Sequence, residues 1–155
     1  MKNKKLNFDL KAFAANITVD VFGYESSINQ NAGRFLETYS KTLNSSPDKI
    51  QLWIKSDQEL KCYLVAPDLD KKPVSIEELT SFFTGQQVSK GDRYCQIVEN
   101  GISRFIREYC QKWQFNVNQV CFRLSFNDNQ LSIKCYLKDK NVDQIAVKQI
   151  IKFLF

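Results

Sequence analysis

The segments RFLETYSK (residues 34–41) and RFIREYCQ (residues 104–111) are two versions of one amphipathic pattern, and they decide how this chain is interpreted. Their offset of about seventy residues is shared by other matches along the chain, as in an internal repeat. Around both segments, apolar residues recur at spacings of three and four, which predicts the buried side of a helix. These positions are Tyr24, Ile28, Ala32, Phe35, Tyr39 and Leu43 in the first half, and Tyr94, Val98, Ile102, Phe105, Tyr109 and Trp113 in the second. Ser26 or Ser27 and Asp92 are the predicted N-caps.

Alternation of apolar and polar residues follows each of these helices and predicts β-strands. The predicted strands are Ile50–Ile54 and Leu60–Ala66 in the first half, and Val120–Phe126 and Leu131–Leu137 in the second. Short polar segments, residues 55–58 and 127–129, separate the two strands of each pair. Each half therefore contains a predicted antiparallel β-hairpin.

A second helix is predicted to close each half. Ser75 and Glu78 have the spacing of a capping box, and Asn141 and Gln144 repeat that spacing in the second half. The apolar residues that follow also correspond between the halves, with Leu79, Phe82 and Phe83 matched by Ile150, Phe153 and Leu154. The repeating unit predicted from the sequence is thus helix, β-hairpin, helix.

These patterns predict one α+β domain over residues 1–155, built from an internal duplication. The first repeat covers residues 24–85 and the second covers residues 86–155. The hairpins would form one antiparallel sheet with the helices packed on one face. Residues 5–23 have no counterpart in the second half, and their alternating apolar residues predict an N-terminal strand segment that extends or covers the sheet.

The composition argues against catalysis and against metal chemistry. The 155 residues include no histidine, which is the commonest general base and the commonest metal ligand. No phosphate-binding loop, dinucleotide fingerprint or nucleophile motif occurs, so we expect neither an enzyme nor a bound cofactor or metal. The five cysteines include no C-x-x-C pair, and no signal peptide or membrane-spanning segment is recognisable. We therefore expect a cytoplasmic protein with no membrane partner.

Charge is distributed unevenly along the chain. Residues 86–155 carry the whole net charge of +5, and residues 1–85 are neutral. Such asymmetry can mark a surface for phosphate groups or for an acidic partner. A net charge this small is also common in proteins that bind no polyanion.

One surface could carry a binding function. Alternation along the predicted strands places a set of basic and aromatic residues on the face opposite the core: Trp53, Lys55, Lys61, Tyr63, Arg123, Lys134, Tyr136 and Lys138. Such residues can stack on unpaired bases and neutralise phosphates, and they are also typical of protein-binding hot spots. In a third interpretation, residues 5–23 or a second copy of the chain bury this face.

Two further groups are candidate partner contacts. Arg34 and Arg104 occupy matching helix positions, and the chain ends in an apolar tail, Phe153, Leu154 and Phe155, that would suit a partner groove. Cys121 is predicted to be exposed on the sheet face, without a histidine to activate it. The first functional hypothesis is a non-enzymatic subunit or adaptor of a protein assembly, with a protein partner or a second copy of the chain. The alternative is a nucleic-acid-binding module that uses the basic and aromatic sheet face.

Overall fold

The computed structural model describes residues 17–154, with side chains from Ser26 onward, and over this range it is an α+β fold of four α-helices and one six-stranded antiparallel sheet. The helices are α1 (Ile17–Leu43), α2 (Ile76–Thr84), α3 (Arg93–Trp113) and α4 (Val147–Leu154). The strands are β1 (Gln51–Asp57), β2 (Glu59–Val65), β3 (Lys72–Val74), β4 (Val120–Asn127), β5 (Gln130–Leu137) and β6 (Lys140–Ile145). Their order in the sheet is β3-β2-β1-β4-β5-β6.

One hydrophobic core joins the helices to alternate residues of the strands. Leu52 and Ile54 of β1 and Phe122 and Leu124 of β4 are buried in the same cluster as the apolar residues of the helices. Successive side chains of a strand point to opposite faces, so the residues between them lie on the other side of the sheet. The periodicity of the strands therefore divides the sheet into an apolar inner face and a second face of different composition.

The predicted helix starts are confirmed where the sequence carried a clear cap. Ser75 and Glu78 form a full capping box, in which the Ser75 hydroxyl accepts from the Glu78 N–H at 3.1 Å and a Glu78 carboxylate oxygen accepts from the Ser75 N–H at 3.0 Å. Asp92 caps α3 by accepting from the Tyr94 N–H at 2.9 Å. These contacts satisfy backbone donors that a helix leaves free at its first turn.

The prediction of a two-stranded unit was wrong, because each half contains a third strand. β3 and β6 pair with β2 and β5 at the two edges of the sheet. Asn141 and Gln144 consequently lie in β6 and cap no helix; α4 begins later, where the Gln149 side chain accepts from the Ala146 N–H at 2.8 Å. β3 has only three residues and β6 is largely polar, so neither shows the apolar alternation by which strands are recognised.

The prediction of an N-terminal strand was wrong for the part of it that the structure describes. Residues 17–23 are the first turns of α1, and Ser26 and Ser27 lie inside that helix. Ile17 and Val21 are spaced four apart and Tyr24 follows three later, so the helical period extends further back than the two-residue alternation suggested. Residues 5–16 of the predicted segment lie outside the described residues.

The ends of α3 and α4 differ from the predicted amphipathic pattern at one position and bring the two helices into close contact at another. Trp113, predicted on the buried side, is 49% exposed because it is the last residue of α3 and lies one turn beyond Tyr109. Further back, a Cβ at Gly101 would lie 2.0 Å from the Phe153 carbonyl oxygen, so only glycine permits this approach of α3 to α4.

None of the helices within residues 17–154 is long and apolar enough to cross a membrane.

Candidate binding site on the open sheet face

The side of the sheet opposite the core carries the predicted basic and aromatic residues, and we call it the open face. It comprises Trp53, Lys55, Lys61, Tyr63, Cys121, Arg123, Lys134 and Tyr136. Within it, Trp53 lies directly between Tyr63 of β2 and Arg123 of β4, and Arg123 in turn lies opposite Lys134 of β5. Trp53, Tyr63 and Tyr136 are half-buried and do not belong to the core cluster. The structure therefore brings these side chains together on one surface.

Arg123 is the centre of the open face. Its guanidinium carbon lies 4.0 Å from the ring centroid of Trp53 and 3.8 Å from that of Tyr136, so the group is held by two aromatic rings. Its Nη2 donates to a carboxylate oxygen of Asp139 at 2.9 Å. The Arg123 side chain is only 16% exposed, whereas the Asp139 side chain is 89% exposed. Contact with two aromatic rings restricts the orientations of the guanidinium in the free protein. Little further conformational entropy is therefore lost when the guanidinium binds a ligand.

Lys71 extends the cation cluster and was not among the predicted site residues. Its Nζ lies 5.0 Å from the centroid of the Trp53 ring and 5.7 Å from that of Tyr63. Lys71 precedes β3, so its place beside the open face depends on a strand that the sequence pattern did not reveal. The adjacent basic pair Lys71-Lys72 was the only available signal, and it is also typical of a solvated turn.

On the open face, like charges lie directly opposite one another on neighbouring strands. Lys55 lies directly opposite Lys61, and Arg123 lies directly opposite Lys134. Like charges in directly opposite positions destabilise a sheet. The ion pairs among the described residues are Arg123–Asp139 and Arg104–Glu108, so the open-face lysines have no acidic partner within residues 26–154. Alternation also places Asp57 and Glu59 on this side, at the end of the β1–β2 hairpin, but the basic residues outnumber the acidic ones, so the face carries an excess of positive charge.

One donor of Arg123 is left unsatisfied. Its Nε is buried and has no hydrogen-bond partner of normal geometry among residues 26–154; the Cys121 sulfur, which interacts with the Arg123 side chain, is only a weak acceptor. Leaving a buried donor unpaired costs free energy of roughly 1–3 kcal/mol, and more for a charged group, so native proteins rarely retain one. An acceptor supplied from outside the described residues would remove that penalty.

Cys121 is not exposed, contrary to the prediction. Only 8% of it is accessible, because it lies opposite Lys55 on one side and Tyr136 on the other, and these long side chains cover it. Burial raises the pKa of the Cys121 thiol, and the neighbouring Arg123 only partly offsets this effect. The thiol is thus protonated at neutral pH, which argues against a role as a nucleophile.

The remaining predicted contacts lie apart from the cluster around Arg123. Arg34 on α1 donates to the Asn31 side-chain oxygen at 2.7 Å, and Arg104 on α3 pairs with Glu108 at 3.8 Å. Both arginines are exposed. Lys138, predicted on the sheet face, instead lies exposed in the turn between β5 and β6, next to Asp139. The structure brings neither arginine into contact with the open face, so any partner role for them would use a different surface.

The prediction of an exposed apolar tail at the end of the chain is wrong. Leu154 is fully buried, because α4 continues to that residue and turns it into the core. Phe153 is half-buried, with its ring centroid 5.6 Å from that of Phe105 in an edge-on arrangement. Phe155 lies outside the described residues. Leu154 therefore stabilises the fold and is inaccessible to a partner.

Two tyrosines on the helix side form hydrogen bonds with carboxylates. Tyr39 of α1 donates to Glu78 of α2, and Tyr109 of α3 donates to Asp143 of β6 at 2.7 Å. Burial, and then the hydrogen bond to Glu78, raises the pKa of Tyr39 to about 12. Burial, and then the bond to Asp143, also raises the pKa of Tyr109. These pairs link elements within each half and are structural contacts.

Comparison of the chain with family models, curated proteins and solved structures found no match. Among the described residues, no group of three or more Cys, Asp or Glu side chains is arranged to hold a metal ion.

Proposed function

We propose that this chain is a non-enzymatic cytoplasmic binding protein, a subunit or adaptor of a larger protein assembly, and that it contacts its partner through the open face. The observation that carries this proposal is the cluster of Trp53, Tyr63 and Tyr136 outside the core, in contact with Arg123 and with Lys71, which has no acidic partner among residues 26–154. Trp, Tyr and Arg are the residue types that dominate binding hot spots. The five thiols, all buried and unpaired, support a reducing compartment.

Preorganisation favours binding by this surface. Because Arg123 is already held between Trp53 and Tyr136, a partner need not immobilise a flexible side chain. The excess positive charge would attract an acidic partner and reject a basic one. Both effects favour the open face over the exposed arginines of α1 and α3, since Arg104 lies over a single ring, that of Phe153 at 5.1 Å, and Arg34 lies over no ring among the described residues.

We further infer that the two halves of the chain are copies of one unit. The order helix, three strands, helix occurs in residues 17–84 and again in residues 93–154. In the sheet, Trp53 pairs directly with Arg123, the residue that the repeat in the sequence makes its counterpart. A pseudo-two-fold axis would then pass between these two side chains, at the centre of the open face. Since one is Trp and the other Arg, the centre is asymmetric, which suits one partner segment per chain.

A nucleic-acid-binding module is the second candidate, favoured by the presence of aromatic rings among lysines. Such a module stacks bases on ring faces that are free to receive them. Here Arg123 lies over both Trp53 and Tyr136, and Lys71 lies over both Trp53 and Tyr63. Bases would have to displace these cations, so a protein partner is the better fit.

The test is selection of peptides that bind the full-length protein, followed by fluorescence anisotropy with the selected peptides made synthetically. Trp53→Ala should weaken their binding by roughly tenfold or more, the loss expected for a hot-spot residue. Trp113→Ala is the matched control and should leave binding unchanged, because Trp113 lies on the helix side and is the most exposed large apolar residue among residues 26–154.

Two outcomes would contradict the proposal. If no selected peptide depends on Trp53, the open face is not the partner surface. If the protein instead binds a single-stranded oligodeoxythymidine, with affinity that falls steeply with salt and is lost in Trp53→Ala, it is a nucleic-acid-binding module.

A further inference from the structure

The open face already contains one acidic group in contact with its central cation. Asp139 lies in the two-residue turn between β5 and β6, where Lys138 and Asp139 both have left-handed φ angles of 51° and 67°. Such φ angles at both positions are typical of the tight turns that join paired strands. From this turn the Asp139 carboxylate reaches across to Arg123.

We propose that Arg123 is an anchor for a carboxylate of the partner, and that Asp139 is a built-in occupant that the partner's carboxylate displaces. This inference rests on the proposed function, because it assigns a ligand chemistry to the open face. It names the partner group as an Asp or Glu side chain of an extended acidic segment.

Asp139 uses only part of the hydrogen-bonding capacity of the Arg123 guanidinium. The Nε and Nη2 hydrogens of an arginine lie side by side on one edge, and a carboxylate can accept from both at once. Asp139 accepts only from Nη2, and the neighbouring Nε is buried without a hydrogen-bond partner among residues 26–154. Once Asp139 and the side chains that cover Nε move aside, a carboxylate of the partner at that edge could accept from both groups and so satisfy the donor that Asp139 leaves unpaired.

The exposure of Asp139 supports its displacement. Its side chain is 89% exposed, whereas that of Arg123 is 16% exposed. An ion pair whose acid is this accessible to water contributes little to stability, so it opposes an incoming ligand only weakly. The positive charges of Lys55, Lys61, Lys71 and Lys134, which have no acidic partner among the described residues, would all favour the replacement of one internal acid by a segment that carries several.

Asp139→Asn is the central variant. Asn tolerates the left-handed φ of this turn position as well as Asp does, so the turn should be retained. A fluorescein-labelled peptide of alternating Glu and Thr is the probe, and a peptide of alternating Gln and Thr is the neutral control. We expect Asp139→Asn to bind the Glu peptide roughly two- to fivefold more tightly than the wild type, in line with removal of an exposed competing ion pair. Binding of the Gln peptide should not change.

Two variants at opposite strand positions separate a specific anchor from general charge. Arg123→Lys keeps the charge but loses the planar fork and the ring stacking, and should weaken binding of the Glu peptide by roughly tenfold. Lys134→Gln removes a charge from the residue directly opposite and should have a smaller effect, because Lys134 stacks on no ring in the described structure.

Several results would overturn this inference. Unchanged or weaker binding in Asp139→Asn would make Asp139 a positioning residue, and equal losses in Arg123→Lys and Lys134→Gln would reduce the site to diffuse charge. Tighter binding of a phosphoserine peptide than of the Glu peptide would assign the anchor to phosphate. If neither the wild type nor Asp139→Asn binds the Glu peptide, the acidic segment is wrong, and the proposed function still stands or falls separately on the Trp53-dependent peptides.

Discussion

Phe122 and Arg123 are neighbours on β4, yet the two faces of the sheet give them opposite environments. Phe122 is 2% exposed and meets Phe105 and Tyr109 edge-on, with ring centroids 5.4 Å and 5.3 Å away. Arg123 is held between Trp53 and Tyr136. On the inner face, aromatic rings pack on other rings, and on the open face they pack on cations.

This difference indicates what each face contributes. The inner face gains from burial of apolar area, which is the main favourable term in folding. The open face places like charges opposite one another at Lys55–Lys61 and Arg123–Lys134, which opposes folding. Folding alone does not account for those residues, whereas the proposed partner surface would.

The largest expected effect comes from truncating an aromatic residue on each face. Phe122→Ala should lower the free energy of unfolding by about 3–5 kcal/mol, because it leaves a cavity in a close-packed core. Trp53→Ala should lower it by only about 1 kcal/mol, since it removes cross-strand and cation–π contacts from a half-buried side chain. Urea denaturation of both variants measures the difference. Similar losses in the two would mean that the open face is a second core and not a binding surface.

The apolar periodicity of the sequence predicted most of the inner face. Helical spacing placed Ile28 and Ala32 of α1 and five residues of α3 in the core but missed Leu36, which is fully buried. Alternation placed Leu52, Ile54, Phe122 and Leu124 on one side of the sheet. The edge strands β3 and β6 were missed because β3 is only three residues long and β6 is largely polar. Pairing with a neighbouring strand defines them, and pairing cannot be read from their own composition.

The open face could be predicted only as a set of residues. Alternation placed Trp53, Tyr63 and Tyr136 on one side, but it contains no information on which side chains stack on which. The position of Arg123 between two rings depends on strand register, and its contact with Asp139 depends on the turn before β6. Neither leaves a local pattern in the sequence, so Lys71 and Asp139 were not predicted as members of the site.

A smaller effect on folding stability should appear at alkaline pH, from titratable groups on the inner side of the sheet. Buried groups there have raised pKa values, with Tyr39 at about 12 and the Cys62 thiol at about 12, mainly through burial. An unfolded tyrosine releases its proton near pH 10. Between about pH 10 and 12 the unfolded chain therefore holds fewer protons than the folded one, and the stability that Tyr39 contributes below pH 10 is lost as the pH rises.

Urea denaturation across that alkaline range should show this loss in the wild type and a shallower decline in Tyr39→Phe. The buried thiols titrate with the same sign and are retained in the variant, so they serve as an internal reference. Tyr109→Phe should behave in the same way, because burial and Asp143 also raise the pKa of Tyr109. Slopes identical to the wild type in both variants would show that these hydroxyls are not protected by folding.

The smallest expected effect tests the like charges of the open face directly. Lys61→Glu places an acid opposite Lys55 and should raise the free energy of unfolding by roughly 0.2–1 kcal/mol, the range for exposed cross-strand charge pairs. Lys61→Gln, which only removes the repulsion, should give part of that gain. Both variants should bind acidic peptides more weakly than the wild type. A substitution that stabilises the fold and weakens binding is expected where a residue is retained for its partner, whereas a loss of stability in Lys61→Glu would show that Lys61 already serves the fold.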